Sequence, residues 1–309
     1  MIQKDFNFIV DKAKSVEKPL RVVIAGADAE NILKGAFYAE EDGFVELTLV
    51  GDQEKITAML KTIGLADRKY TIVHEDNKKN YVQKSIDLIK AGKADCLMRG
   101  NTQTRNFLLP ILDRKNDLLI PHRLVTHIVM LKLQGYDRLI SLSDVTLLVD
   151  PSPNQRKKVV KNMTNTLKCL GYEHPNIALL SLVEKPSFHM KDTIESDNIV
   201  KEHNSHPIAD CNLVGPIAYD LIMSKEAARL KNYDCPYCGE FDGIVVPNLL
   251  SGNLLIKAMQ LHGRAESCGI LVGAKIPVAI TSRSDTPDKA YLSLAVCATL
   301  TSHPDYKMG

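Results

Sequence analysis

Residues 273–291 read GAKIPVAITSRSDTPDKAY. Ile276 to Ile280 form a short apolar run with β-branched members, which predicts a buried strand. The next six residues, Thr281-Ser282-Arg283-Ser284-Asp285-Thr286, include no apolar side chain. Pro287 and Asp288 then predict a helix start, because proline suits the first helical turn and an acid suits the positive end of the helix dipole. Strand, polar junction and helix is the repeating unit of an α/β sheet. Such junctions turn free backbone N–H groups outward and bind anions. Arg283 adds a planar fork that matches two phosphate or carboxylate oxygens. The same residues also read as a solvated turn and cap, with Arg283 in a surface ion pair.

The rhythm of this stretch recurs through the chain. Arg21 to Ala25 is a predicted strand followed by Gly26 and an acidic helix start at Asp28. Val45 to Val50 ends at Gly51-Asp52, with a helix from Glu54. Tyr70 to Val73 follows, and then a helix near Tyr81 to Lys90 with Val82, Ile86 and Ile89 on one face. Asp95 to Met98 is a fourth strand. Strands alternating with helices of this length predict a parallel sheet covered by helices on its faces. Ligands of such sheets bind beyond the carboxyl ends of the strands. The fourth strand runs into Arg99-Gly100-Asn101-Thr102-Gln103-Thr104-Arg105, a second polar junction with an arginine at its lip, before a helix over Phe107 to Leu112. Thr102 or Thr104 as a plain N-cap accounts for the same pattern without a ligand.

Further on, Val125 to Leu131 is apolar apart from Thr126 and His127, and a lone histidine there fits a hydrogen-bonded core residue as well as a catalyst. Arg138 to Leu142 is a predicted strand ending at Ser143-Asp144, and the run Val145 to Val149 follows. Asp150-Pro151-Ser152-Pro153 breaks the chain. The next helix carries Val159, Met163, Leu167 and Leu170 on one stripe. Arg156, Lys157, Lys158 and Lys161 form the other, which reads as a solvated face. Asn176 to Val183, Asn212 to Gly215 and Asp242 to Val246 are further predicted strands. Ser251-Gly252-Asn253 opens a helix expected to turn Leu254, Leu255, Ala258 and Leu261 inward.

Length and composition bound the function. A chain of 309 residues fits two domains or one large α/β unit. A net charge of +2 and no tryptophan give little support for nucleic-acid binding. No apolar run approaches the roughly 20 residues that span a bilayer, and the N-terminal stretch lacks a signal-peptide pattern. Seven scattered cysteines, an odd number, point to a reducing cytoplasm. Cys235-Pro236-Tyr237-Cys238 is an isolated CxxC, which reads as two unpaired thiols rather than a metal site. Neither a Walker sequence nor GxGxxG occurs, against a P-loop nucleotidase or an ordinary NAD fingerprint.

Five blocks in one order carry a resemblance: ADCLMRGNTQTRNFLLPIL at 94–112, VTHIVML at 125–131, GPIAYDLIMSKEAA at 215–228, VPNLLSGNLLIKAM at 246–259 and GILVGAKIPVAITSRSDT at 269–286. Together they resemble the phosphate acetyl- and butyryltransferases, most closely the butyryl branch, from about residue 20 onward. The resemblance implies a reaction, acyl-CoA plus phosphate giving acyl phosphate plus coenzyme A, reversibly. It implies a two-domain α/β/α fold with mostly parallel sheets, like that of isocitrate and isopropylmalate dehydrogenases. Residues 1–120 plus 272–309 would form one domain, and 121–271 a second domain inserted into it, with the active site in the cleft between. It further implies a cytoplasmic homodimer or larger oligomer that needs no metal and no cofactor beyond coenzyme A as substrate.

By the same resemblance, Ser282 and Arg283 serve the phosphate and the developing charge. Arg99, Gly100, Thr102, Thr104, Asn248, Ser251, Gly252 and Asn253 bind phosphate or coenzyme A. No cysteine lies in either junction, so direct transfer in a ternary complex is expected. One departure concerns the general base. Acetyl-type enzymes place an aspartate seven residues after the signature serine, and here that position is Lys289. Asp285, Asp288 and His127 are the alternatives. Leu250 replaces an acid of the butyryl branch, and Arg99 replaces a lysine. Acetyl transfer, a metal- and NAD-dependent dehydrogenase of the same fold, and a non-catalytic acyl-CoA or phosphate-binding protein are the competing functions.

Overall fold

The structure is a computed structural model that describes residues 5–281 and 285–306. The chain forms two compact units. Asn7–Val125 and Cys268–Met308 make one, and Thr126–Ser267 supply the body of the other.

The first unit begins with α1 (Asn7–Lys14), β1 (Leu20–Ala25), α2 (Glu30–Glu41), β2 (Val45–Gly51), α3 (Gln53–Thr62), β3 (Thr71–His74), α4 (Tyr81–Lys90), β4 (Cys96–Arg99) and α5 (Thr104–Leu112). The second unit contains β5 (Thr126–Lys132), β6 (Leu139–Ser143), α6 (Pro153–Leu170), β7 (Asn176–Leu180), α7 (Lys191–Ser205), β8 (Asn212–Ile217), α8 (Tyr219–Met223), α9 (Lys225–Leu230), β9 (Gly243–Val245) and α10 (Leu249–Leu261). The chain then returns to the first unit through β10 (Glu266–Val272), β11 (Val278–Ala279) and α11 (Pro287–Ser302).

The strands of the first unit lie in the order β3-β2-β1-β4-β11-β10. All neighbours are parallel except β10 with β11. Because β1 and β4 are flanked by strands on both sides, Val22 to Ala25 and Cys96 to Met98 read as continuous apolar runs rather than alternating ones. Residues Leu292 to Leu300 of α11 are all buried. A helix covered on every side has no amphipathic stripe to read. Gly35 of α2 allows the start of α11 to come close, since a Cβ there would sit 2.2 Å from Pro287 O.

The second unit has the order β5-β6-β9-β7-β8, parallel except for β5 with β6. Its core joins Val129, Leu131, Ile140, Leu142, Ile217 and Ile244, among others. The fold class is therefore the expected α/β arrangement with mostly parallel sheets.

Several local expectations fail. Arg156 does not belong to a solvated stripe, being 1% exposed. Its Nη2 donates to Ser196 Oγ at 2.8 Å, and Glu195 lies 3.9 Å from Nη1. The inward face of α10 is Gly252, Ile256 and Met259, while Leu254 and Leu261 are 67% and 72% exposed. Polar residues at Ser251 and Asn253 disguise that phase. The strand expected over Ile276 to Ile280 pairs only at Val278–Ala279. The run Val145 to Val149 that follows β6 is drawn into a turn, because Asp144 accepts the amides of Thr146, Leu147 and Leu148.

Candidate active site

The parallel strands of the first unit deliver their carboxyl ends to one edge. Gly26, at φ +79°, turns the chain out of β1. Gly100 turns it out of β4, and the Asn101 N–H donates to Gly26 O at 2.7 Å. A Cβ on Gly100 would lie 2.1 Å from Gly26 O, so the two loops touch backbone to backbone.

Arg99 organises this edge. Its Nε and Nη2 donate to Thr102 O at 3.0 and 2.7 Å, and its Nη1 donates to Thr281 O at 3.1 Å. It thus ties the 99–105 junction to the 281–286 junction, although the two are far apart in sequence. Thr102 and Thr281 are both buried, and the hydroxyl of each lacks a hydrogen-bond partner among the described residues. Buried hydroxyls are rarely left unpaired, so this edge offers donors to a group that accepts them. The N-caps of α2, α5 and α11 are Ala29, Gln103 and Thr286, and none caps its helix with a side chain. The first-turn amides of these helices keep their capacity for an anion. Thr104 is exposed in the first turn of α5 rather than acting as its cap.

Ser282 and Arg283 lie outside the described residues. Beyond them, Asp285 Oδ1 accepts from Lys289 Nζ at 2.9 Å. Asp288 is exposed on the first turn of α11.

The remaining expected residues gather in the second unit. His127 lies on β5 with its Nδ1 2.6 Å from Thr146 Oγ1. Its backbone N–H donates to Asp144 Oδ2 at 2.6 Å. The other oxygen of Asp144 accepts the N–H groups of Thr146, Leu147 and Leu148 at 2.8, 2.6 and 3.2 Å. Burial pushes the Asp144 carboxyl upward, and these amides pull it back. Asn248 caps α10, its Oδ1 accepting from the Ser251 N–H at 3.0 Å. Gly252 abuts the same turn, where a Cβ would meet Val246 at 2.8 Å and Asp144 O at 3.1 Å. Asn253 Nδ2 donates to Val145 O at 3.4 Å.

The expected residues thus form two groups, one in each unit. Sequence reading placed Thr281 and Asp285 in a polar junction, but it missed Gly26, Asp144, Thr146 and the pairing of Lys289 with Asp285 as parts of them. Asp144 and Gly26 carried a signal, each following an apolar strand directly, whereas Thr146 carried none. Among the described residues, no three His, Cys, Asp or Glu side chains are placed to hold a metal ion, and no helix is long and apolar enough to cross a membrane.

The fold has known counterparts. A branched-chain phosphotransacylase from Enterococcus faecalis V583 matches with a TM-score of 0.78 at 27% identity, over 91% of this chain and 98% of that one. A 4-hydroxythreonine-4-phosphate dehydrogenase structure from Salmonella typhimurium matches more weakly, with a TM-score of 0.54 at 14% identity over 91% and 99%. The architecture is therefore that of phosphotransacylases, with a more distant likeness to a dehydrogenase fold. In sequence, phosphate butyryltransferase of Clostridium acetobutylicum is 31% identical over 96% of this chain and 97% of its own. The family model for phosphate acetyl/butaryl transferase matches residues 70–298. The chain belongs to that family and is an acyltransferase.

Proposed function

We propose that the enzyme transfers a short-chain acyl group, butyryl in preference to acetyl, reversibly between phosphate and coenzyme A. The family model covers both acyl groups, and the butyryl choice follows the Clostridium relative. The observation that carries the phosphate half of this reading is the pair of buried hydroxyls on Thr102 and Thr281, unpartnered among the described residues. They flank an arginine-tied loop at the start of two helices without side-chain caps.

In the direction that forms the thioester from acyl phosphate, the thiol of coenzyme A loses its proton, since the thiolate is the nucleophile. A C–S bond forms at the acyl carbon, the C–O bond to phosphate breaks, and phosphate leaves with the electron pair. Ser282 and Arg283 take the developing charge on the carbonyl and phosphate oxygens. Thr102 and Thr281 donate to phosphate, while Arg99 and Gly100 shape the loop that receives it. Asp285 accepts the thiol proton, with Lys289 fixing where its carboxylate stands. Transfer is direct, and the protein's main work is to align two bound substrates.

Thioester absorbance, with butyryl, isobutyryl and acetyl phosphates and coenzyme A, tests the reading. Butyryl phosphate is expected to give the highest kcat/KM, by about ten- to a hundredfold over acetyl phosphate, as apolar-pocket discrimination allows. Preference for acetyl phosphate would replace the acyl assignment. Turnover with none of them would remove the reaction.

A further inference from the structure

The segment between β7 and α7 forms a built turn that the reaction above does not use. Ser181 closes β7, and its Oγ donates to Asp192 Oδ2 at 2.5 Å. The Ser187 N–H donates to Thr193 Oγ1 at 2.8 Å, and the Met190 N–H donates to Ser187 O at 3.0 Å. Thr193 Oγ1 in turn donates to Met190 O at 2.6 Å, from a fully buried position. Ser187–Met190 is therefore a tight turn pinned to the first turn of α7. At its tip stands Phe188, 98% exposed.

A phenyl ring held wholly in water adds no burial to the fold. A loose loop would let it fold back, but these hydrogen bonds hold it out. The turn stands at the carboxyl end of β7, which runs parallel to β9, as β9 does to β6. Ligands of parallel sheets bind beyond those ends. Lys185, His189 and Lys191 flank Phe188 and are exposed. Lys191 shares Glu195 at 3.3 Å. The nearest acids in sequence are engaged, Glu184 with Lys231 at 3.6 Å and Asp192 with Ser181. A projecting aromatic ring between cations is the chemistry that takes a nucleobase and its phosphates, the base stacking on the ring and the phosphates meeting the charges.

We propose that the 187–190 turn is a nucleotide subsite, in which Phe188 stacks on the adenine of coenzyme A and Lys185 and Lys191 supply charge for its phosphates. This rests on coenzyme A being a substrate.

The chain has no tryptophan, so Phe188→Trp places a single reporter at the tip. Its fluorescence is expected to be quenched by coenzyme A and by adenosine 3′,5′-bisphosphate, but not by pantetheine, which lacks the base. In steady-state assays Phe188→Ala is expected to raise KM for coenzyme A about tenfold, the scale of one base–aromatic stack. KM for the acyl phosphate, and kcat/KM with pantetheine as the thiol, should stay unchanged. If neither coenzyme A nor the bisphosphate quenches the reporter, the subsite is overturned, whatever the activity. If the wild-type protein forms no thioester but the bisphosphate still quenches, the acyl-transfer reading falls and the nucleotide site stands. A Phe188→Ala protein with unchanged KM and a smaller oligomer on size exclusion would assign the turn to contact between copies, and would overturn the proposal.

Discussion

Lys289 Nζ stands 2.9 Å from Asp285 Oδ1, and both side chains are largely enclosed, at 13% and 11% exposure. Lysine at this position fixes the carboxylate one helical turn before it. Loss of a general base costs about 10²- to 10⁴-fold in rate, so under the proposed role of Asp285 as base, Asp285→Asn is expected to lower kcat by at least about a hundredfold. Lys289→Met should lower kcat less, by displacing the carboxylate without removing it. Initial rates of thioester formation measure both. A larger loss in Asp288→Asn or His127→Gln than in Asp285→Asn would move the base to that residue.

The contact between Gly26 and Gly100 leaves no room for a methyl group. Gly100→Ala drives a Cβ to 2.1 Å from Gly26 O, a backbone atom that no side-chain rotation can clear. A loss of about 1–3 kcal/mol in urea unfolding is expected, the range for overpacking. An unchanged midpoint would show that the two loops separate easily.

Tyr291 and Lys14 both reach Asp42, the tyrosine hydroxyl donating to Oδ2 at 2.5 Å and the lysine standing 3.0 Å away. Burial opposes the charge of Asp42, but the two donors outweigh it and hold the carboxyl below its usual range. Burial and the same contact push the tyrosine hydroxyl upward, so it stays a donor. Because the folded value is depressed, stability from this contact is complete above the unfolded carboxyl value of about 4. It is lost as pH falls through the lower folded value. Tyr291→Phe is expected to cost about 1–2 kcal/mol at pH 7, and the gap from wild type should narrow below about pH 4. Equal gaps at pH 3 and pH 7 would show that the hydroxyl is not the stabilising element.

Arg156 is a buried cation with a distant counter-charge. Burial lowers the stability of its charged form, and Glu195 and Asp192 partly restore it. Ser196→Ala removes its shortest hydrogen bond and is expected to cost about 1–3 kcal/mol. Arg156→Met removes the buried charge together with its need for partners, and should be close to neutral. Urea titration of the two variants distinguishes the cases. A more severe loss in Arg156→Met would make the guanidinium a net stabiliser.

Burial, with Cys235 adjacent, pushes the Cys238 thiol up to about 12. At pH 8 it stays protonated, so iodoacetamide should modify Cys238 only after unfolding. Peptide mapping of native and urea-treated protein reads this directly. Rapid native labelling at Cys238 would place that thiol at the surface.

The sequence made visible those elements whose apolar runs meet small polar residues abruptly. β1, β2 and β4 were legible because each carries an apolar, β-branched or aliphatic run that stops at a glycine or one residue short of it, although β2 alternates with Glu46 and Thr48 in its first half. α11 was legible from Pro287 and Asp288 alone. β10 and α7 escaped notice. The first merges into the glycine before a further apolar run, and the second has a mixed face with only Thr193, Ser196, Ile199 and His203 buried. Arg156 shows the general limit, since a helical arginine among lysines looks solvated until Ser196 arrives from another helix. In the site, Arg99 and Thr102 were visible as a polar junction. Their link to Thr281 was not, because it is a tertiary contact through a backbone carbonyl.

The route of the chain also constrains how the molecule is made. During synthesis the Thr126–Ser267 unit emerges whole and can fold at once. The other unit must wait with β4 uncovered on one side, since β11 arrives only after residue 268. The same late segment carries the 281–286 junction and Asp285. A ribosome-bound chain short of that point can hold a finished second unit while the first still lacks its closing strand.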